Sequence, residues 1–197
     1  MIQSIAEIES LIQLNLSAAQ QARSSTAFEA SNNYCKIGLS LLKDEAWSTH
    51  YSLTLSLKLL AMETSFLLGD YDSVQQYFED ICQHSSELLD RVEAYAILLS
   101  SFVAQGQHHQ ALQIGREILS QLSVKLPETP KKLNVFTKLQ ETKIYLAGHH
   151  PNDLASLRPM SDSSAKAALK VMNLMMFPAF FVEQKFIALL ALSLIHI

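Results

Sequence analysis

A chain of 197 residues, 49% apolar with only five glycines and five prolines, can fill one domain or an extended array and leaves little room for long disordered stretches. Its formal charge is −4, and Lys131–Lys132 is the only basic doublet, so a surface that must neutralise phosphates is disfavoured. Leu, Ala, Gln, Glu, Lys and Met dominate, and these residues favour helix.

From the N-terminus, Ile5, Ile8, Ile12 and Leu16 predict an amphipathic helix over Ile2 to Arg23. Ser24-Ser25-Thr26 interrupts it, and Thr26 with Glu29 offers a capping box for a second helix. There Ala27, Ala30, Tyr34, Ile37 and Leu41 step by three and four, which sets them on one face. Lys43-Asp44-Glu45 reads as a polar turn, after which Trp47 opens a new element. Tyr51, Leu53, Leu55, Leu57 and Leu59 alternate as a strand would, but the run continues through Leu60, Met62, Phe66 and Leu67 without a turn. That is too long for an ordinary strand, and its composition favours a helix contacted on more than one side.

Gly69 ends this helix and Asp70 can cap the next, whose stripe is Tyr71, Val74, Phe78 and Ile81, ending near His84. Leu88 to Gln105 follows as a helix carrying Val92, Tyr95, Leu98, Leu99 and Phe102. Gly106 ends it, and Ala111, Gly115, Ile118 and Leu122 mark the helix after it. Small residues at Ala111 and Gly115 allow two helix backbones to approach closely. Leu126-Pro127 is a stop, and Thr129-Pro130 pairs an N-cap with proline at the first helical position of a helix reaching about Ala147. Residues 148–158 form a connector. Ser161 or Asp162 then caps a helix with Ala165, Ala168, Leu169, Met172, Met175 and Met176 on one face, and Pro178 starts the last segment.

One signature recurs. Gly69-Asp70-Tyr71 with Val74, Phe78 and Ile81 returns 37 residues later as Gly106-Gln107-His108 with Ala111, Gly115 and Ile118. The same second-helix offsets occur at Ala30, Tyr34 and Ile37, where no glycine precedes them. A hairpin repeating at this period predicts an all-α fold, an α-solenoid of stacked antiparallel helix hairpins of tetratricopeptide type. The repeat residues are expected to pack the hairpins, with Trp47, Tyr51 and Tyr95 as candidate surface anchors.

Reactive constellations are missing from the sequence. Cys35 and Cys82 are too few and too far apart for a zinc site or a disulfide framework; they read as small core hydrophobes, as suits a reducing cytoplasm. His108-His109 and His149-His150 are adjacent pairs whose side chains diverge, and His50 and His84 stand alone, so no metal is expected. Glu63, Glu79, Asp80, Glu87, Asp90 and Glu93 form no acid/base pair. The five glycines are isolated and build no phosphate loop, so no cofactor is expected. Phe186 to Ile197 is apolar but too short to span a membrane, which takes about 20 residues. The acidic N-terminus lacks the basic region of a signal peptide.

The residues also resemble a known family. Leu14-Asn15-Leu16-Ser17-Ala18-Ala19 with Ala22 and Ser25 is similar to the start of a helical region in multi-sensor hybrid kinases of cyanobacteria and related bacteria. Tyr34, Gly38-Leu39, Leu41-Leu42, Trp47, Tyr51, Leu67-Leu68-Gly69-Asp70-Tyr71, Leu89-Asp90-Arg91-Val92 and Leu126-Pro127 fit the same pattern, as do Asp153-Leu154, Leu157, Pro159-Met160, Asp162 and Ala167-Ala168-Leu169. His108 and Arg158 depart from it. Such proteins join a serine/threonine-kinase-like domain, an AAA/NACHT-like ATPase, a tetratricopeptide-like stretch, a GAF sensor and a histidine kinase. The resemblance places this chain wholly in the helical stretch and carries over no catalytic residue.

It therefore implies a non-catalytic, cytoplasmic scaffold over 1–191 of a larger protein, contacting other domains of its own chain, a second protomer or a protein partner. The alternative is the repeat adaptor of an ATPase-linked transcriptional regulator. Residues 192–197 resemble a translated sequencing adapter and are expected to be an artefactual tail. A segment cut from a longer stack is expected to self-associate through its apolar ends.

Overall fold

The computed structural model describes residues 5–42, 46–147 and 159–195, and every regular element among them is helical. In chain order these are α1 (Ile5–Ser24), α2 (Phe28–Leu41), the single turn α3 (Ala46–Thr49), α4 (Tyr51–Leu68) and α5 (Tyr71–His84). Then come α6 (Leu88–Ala104), α7 (His108–Gln121), α8 (Lys132–Ala147), α9 (Ser163–Val182) and α10 (Gln184–Leu194). The chain divides after Ser101 into two units. In the first, α1 lies along α2, and α4 packs on both as well as on α3 and α5, around Ile12, Leu16, Ala19, Cys35, Leu57 and Ala61. In the second, α9 packs on α7 and α10, and α10 packs on α8.

The leucine alternation from Leu53 to Leu59 lies within α4. Because that helix is contacted from several sides, it buries Thr54, Leu57, Ala61, Met62, Thr64 and Ser65 and shows no single clean stripe. Asp70 caps α5, accepting from the Ser73 N–H at 3.1 Å and the Ser73 hydroxyl at 2.6 Å, and these bonds hold its carboxyl below the usual carboxylate range. Asp162 caps α9 through the N–H groups of Ser164 and Ala165, at 2.8 and 3.2 Å.

Four helix ends among the described residues, at Thr26, Gly69, Gly106 and Ser123, share one geometry, and the first three lead directly into the next helix. Gly69, at φ 77°, donates its N–H to the Phe66 carbonyl at 3.0 Å, and Asp70 donates to Ser65 at 2.9 Å. Gly106, at φ 72°, repeats this with Val103 at 3.0 Å, while Gln107 donates to Phe102 at 2.8 Å. Thr26, at φ 60°, does the same with Arg23 at 3.0 Å, and Ala27 donates to Ala22 at 2.9 Å. The paired bonds satisfy carbonyls left open at the end of the first helix and require a left-handed residue, which glycine adopts without strain.

Thr26 therefore occupies the glycine position of its turn. The expected capping box with Glu29 does not form, since the residue entering α2 is Ala27, without a side-chain cap. A β-branched residue in the left-handed region is strained. Thr26→Gly is expected to raise stability by about 1 kcal/mol in a urea titration; a loss would show that the Thr26 side chain contributes more than its backbone costs.

The turn sets which face of the following helix is buried. Five, nine and twelve residues after Gly106 stand Ala111, Gly115 and Ile118, all buried. After Gly69 the same steps reach buried Val74, half-buried Phe78 and buried Ile81. After Thr26 they reach Ser31, Cys35 and Gly38, all buried. The packing face expected at Ala30, Tyr34 and Ile37 thus lies one residue further on. Ala30 is exposed, and Tyr34 and Ile37 are 40% and 49% exposed. The reason is closeness: the Ser31 hydroxyl donates to the Ala19 carbonyl at 2.8 Å, and a Cβ on Gly38 would stand 3.1 Å from the Leu57 methyls.

Two further expectations change. Pro178 lies inside α9 with its ring buried, and the chain breaks instead at Glu183, where φ is −159° and ψ 111°. Proline removes one N–H from the helix, and burial of Met175, Pro178 and Ala179 on one face accompanies its retention. Pro130 does not open α8, which begins at Lys132; the Lys131 N–H instead donates to the Asn134 side-chain oxygen at 2.8 Å. Upstream, α7 ends at Gln121 and the chain turns at left-handed Ser123 (φ 65°), before Leu126-Pro127. The start at Ile2, the Lys43-Asp44-Glu45 turn, the 148–158 connector with His149 and His150, and His196 lie outside the described residues.

Gly115 marks the tightest helix contact among the described glycines. A Cβ there would meet Met175 Sδ at 2.5 Å and Cγ at 2.6 Å. Gly115→Ala is expected to cost ~1–3 kcal/mol by overpacking, and the cost should shrink when it is combined with Met175→Ala. Strict additivity of the two changes in denaturant titrations would mean that the residues do not meet.

Candidate functional site

Among the described residues of the first unit, a polar cluster joining several elements is built on α3, α4 and α5. Asp80, on α5, pairs through Oδ2 with the Lys58 ammonium of α4 at 2.7 Å. One turn later His84 sets Nδ1 2.9 Å from the Asp80 carbonyl oxygen and 3.3 Å from Oδ1. Both neighbours are acceptors, so Nδ1 carries the proton. The His84 ring stacks on the Trp47 indole of α3, with centroids 5.4 Å apart and planes within 8°, and Lys58 Nζ lies 5.9 Å from the indole centre. Tyr51 also packs on Trp47, its ring tilted and 5.6 Å away. Around them a cleft of ≈ 280 Å³ also takes in Leu39, Leu42 and Thr54.

This arrangement fastens α3, α4 and α5 to one another. Both Asp80 oxygens face cationic or N–H groups, and the Thr54 hydroxyl donates back to the His50 carbonyl at 3.0 Å. With the Lys58 and Asp80 side chains 21% and 31% exposed, the pair contributes no more than ~1 kcal/mol. The Trp47 Nε1–H is buried with no hydrogen-bond partner among the described residues. Tyr51 also reaches away from the cluster. Its hydroxyl donates to Asp90 Oδ2 at 2.5 Å and accepts from the Ser86 N–H at 3.2 Å, so α4 holds the turn between α5 and α6.

The surface anchors divide accordingly. Tyr95 is only 5% exposed, set edge-on against Phe78 at 4.9 Å, and presents no surface; Trp47 and Tyr51 are half-buried in the cluster above. The carboxylates noted in the sequence disperse: Glu63 pairs with Arg23, Asp90 with Tyr51, and Asp80 with Lys58. Among the described residues no three His, Cys, Asp or Glu side chains converge on a metal-sized space. His108 stacks on Phe181 at 4.7 Å rather than joining His109. Cys35 is fully buried, and burial pushes its thiol up to about 12, leaving it a neutral core group.

In the second unit α9, with 20 residues and a mean hydropathy of 1.4, has the length and apolarity of a membrane span. One face, with Met172, Met175 and Ala179, is buried and sets Met175 against Gly115 of α7, while Phe177, Phe180 and Phe181 on the same helix are 57%, 63% and 57% exposed. Comparison with known proteins finds no family model, curated protein or solved structure that matches the chain.

Trp47 is the single tryptophan, so its emission reports on the cluster alone. His84→Ala is expected to uncover one face of the indole and shift its emission to the red with little change in helicity. An unmoved spectrum would mean that the stack does not form.

Proposed function

We propose that this chain is a non-catalytic helical scaffold, a stack of tetratricopeptide-type hairpins acting in the cytoplasm inside a multidomain signalling kinase. On this reading it joins an ATPase module to downstream sensor and histidine kinase modules. The observation that supports it best is the turn repeated at Thr26, Gly69 and Gly106, with buried or half-buried positions falling five, nine and twelve residues later each time. A fixed turn followed by a fixed buried phase is what lets successive hairpins bury one another's faces and leave surfaces outward. The polar groups are consistent with this: the Asp80 and Asp90 carboxylates bind neighbouring helices together. The assignment to a signalling kinase rests on the family resemblance of segments such as Leu67-Leu68-Gly69-Asp70-Tyr71.

The purified chain, given ATP and magnesium, is expected to show neither hydrolysis nor self-labelling with γ-phosphate. Robust turnover would overturn the scaffold reading. Flanking DNA encoding a GAF domain and a histidine kinase would support the kinase context, whereas a helix-turn-helix domain downstream would overturn it in favour of a transcriptional regulator.

A further inference from the structure

One side of α9 is open to solvent along its length. Lys166, Lys170, Asn173, Phe177, Phe180 and Phe181 are all exposed, and their steps of three and four set them on a single face. Along that face the character changes in order, cationic at the start and aromatic at the end, with no acid at any of these positions. The phenyl rings are held outward by their own contacts. Phe177 and Phe180 each meet Phe181, with centroids 5.0 and 5.4 Å apart. His108, the first residue of α7, stacks on Phe181 and meets Phe177 edge-on at 6.0 Å. Charge is divided along the chain in the same sense. The second unit, Phe102–Ile197, has ten Lys and Arg against six Asp and Glu, whereas Met1–Ser101 has five against thirteen.

We propose that this face of α9 docks on an anionic lipid surface, with the phenyl rings at the headgroup boundary and Lys166 and Lys170 among the charged headgroups. The choice of occupant is chemical. The face asks for negative charge and hydrocarbon side by side over roughly 22 Å, at 1.5 Å per residue. An anionic bilayer offers both along its plane. A second copy meeting it through the same face brings no counter-charge, since that face carries no acid. A nucleic acid brings phosphate, but His108 already covers one face of Phe181, and the cluster offers hydrocarbon to bury rather than an open stacking platform. Because Met172, Met175 and Ala179 stay buried on the opposite side, the helix lies along the membrane instead of crossing it. This inference rests on the surface of α9 and not on the scaffold reading.

The full chain is tested by co-sedimentation with vesicles of phosphatidylcholine alone and of an equimolar mixture of phosphatidylcholine and phosphatidylserine. Wild type is expected to bind the mixed vesicles about tenfold more tightly, as two lysines near an anionic surface supply. Phe177→Ser with Phe180→Ser should weaken binding to both vesicles, with helicity and melting unchanged. Lys166→Glu should weaken binding to the mixed vesicles and leave the weaker binding to phosphatidylcholine as it was, a split that misfolding would not produce. A wild type that ignores the mixed vesicles would overturn the proposal, and capture of poly-uridylate in their place would give the face to nucleic acid. Binding that the serine changes leave intact would overturn it too, since charge alone would then hold the protein. None of these results bears on the ATP assay, so failure of the docking face and failure of the scaffold reading are separable.

Discussion

A single left-handed residue at the end of a helix governs the placement of the helix after it. Two backbone hydrogen bonds hold each of the turns at Thr26, Gly69 and Gly106, and their rigidity fixes the rotation at which the next helix begins. Once that rotation is set, the buried side of the helix is set too, whatever side chains occupy it. This is why Ser31, Cys35 and Gly38 can be fully inside while Tyr34 and Ile37 stay out. Hydrophobicity alone would favour the opposite choice by several kcal/mol, at about 1.5–3 kcal/mol for each large apolar side chain buried. Backbone geometry and close packing therefore outweigh the transfer energy of two large residues at α2.

The inverted choice is tolerable because small residues let backbones come near. At Gly38 the leucine methyls of α4 sit where a side chain would start, and at Gly115 the Met175 thioether does the same. Close approach increases the number of dispersion contacts per unit length of helix. Small hydroxyls in these contacts find local acceptors: that of Ser31 reaches the Ala19 carbonyl, and that of Thr64 the Leu60 carbonyl at 2.8 Å. A polar residue bonded in this way adds no unsatisfied group to the core.

How much of this can be read in the sequence depends on whether a residue type is tied to one backbone state. Gly69 and Gly106 are legible because glycine is the ordinary left-handed residue, and Asp70 and Asp162 because a carboxylate at a helix start accepts from open N–H groups. Thr26 is not legible, since a β-branched residue gives no sign of a positive φ, and without it the phase of α2 slips by one. The apolar stripe then points to the exposed face. Helix in α4 is recoverable from length and composition despite its alternating leucines. The Trp47 cluster is only half visible: Asp80 and His84 are one turn apart, but Lys58 sits among leucines and nothing local announces that α3 returns to it.

The repeated turn also explains why three equivalent positions carry such different chemistry. Eleven residues after the left-handed position the chain places Ile37, Asp80 and Glu117. Because the backbone bonds of the turn and the buried steps already define the buried side of each following helix, this position is released from the core and can take any side chain. At Asp80 it gathers Lys58 and His84 and ties helices together; at Glu117 it is an exposed acid; at Ile37 it is an exposed branched hydrocarbon on the helix that borders a cleft. Exposing one aliphatic side chain in isolation is common and carries no meaning. Exposing two on one helix, next to an apolar recess, costs solubility that a charged residue would have preserved, as Glu117 does.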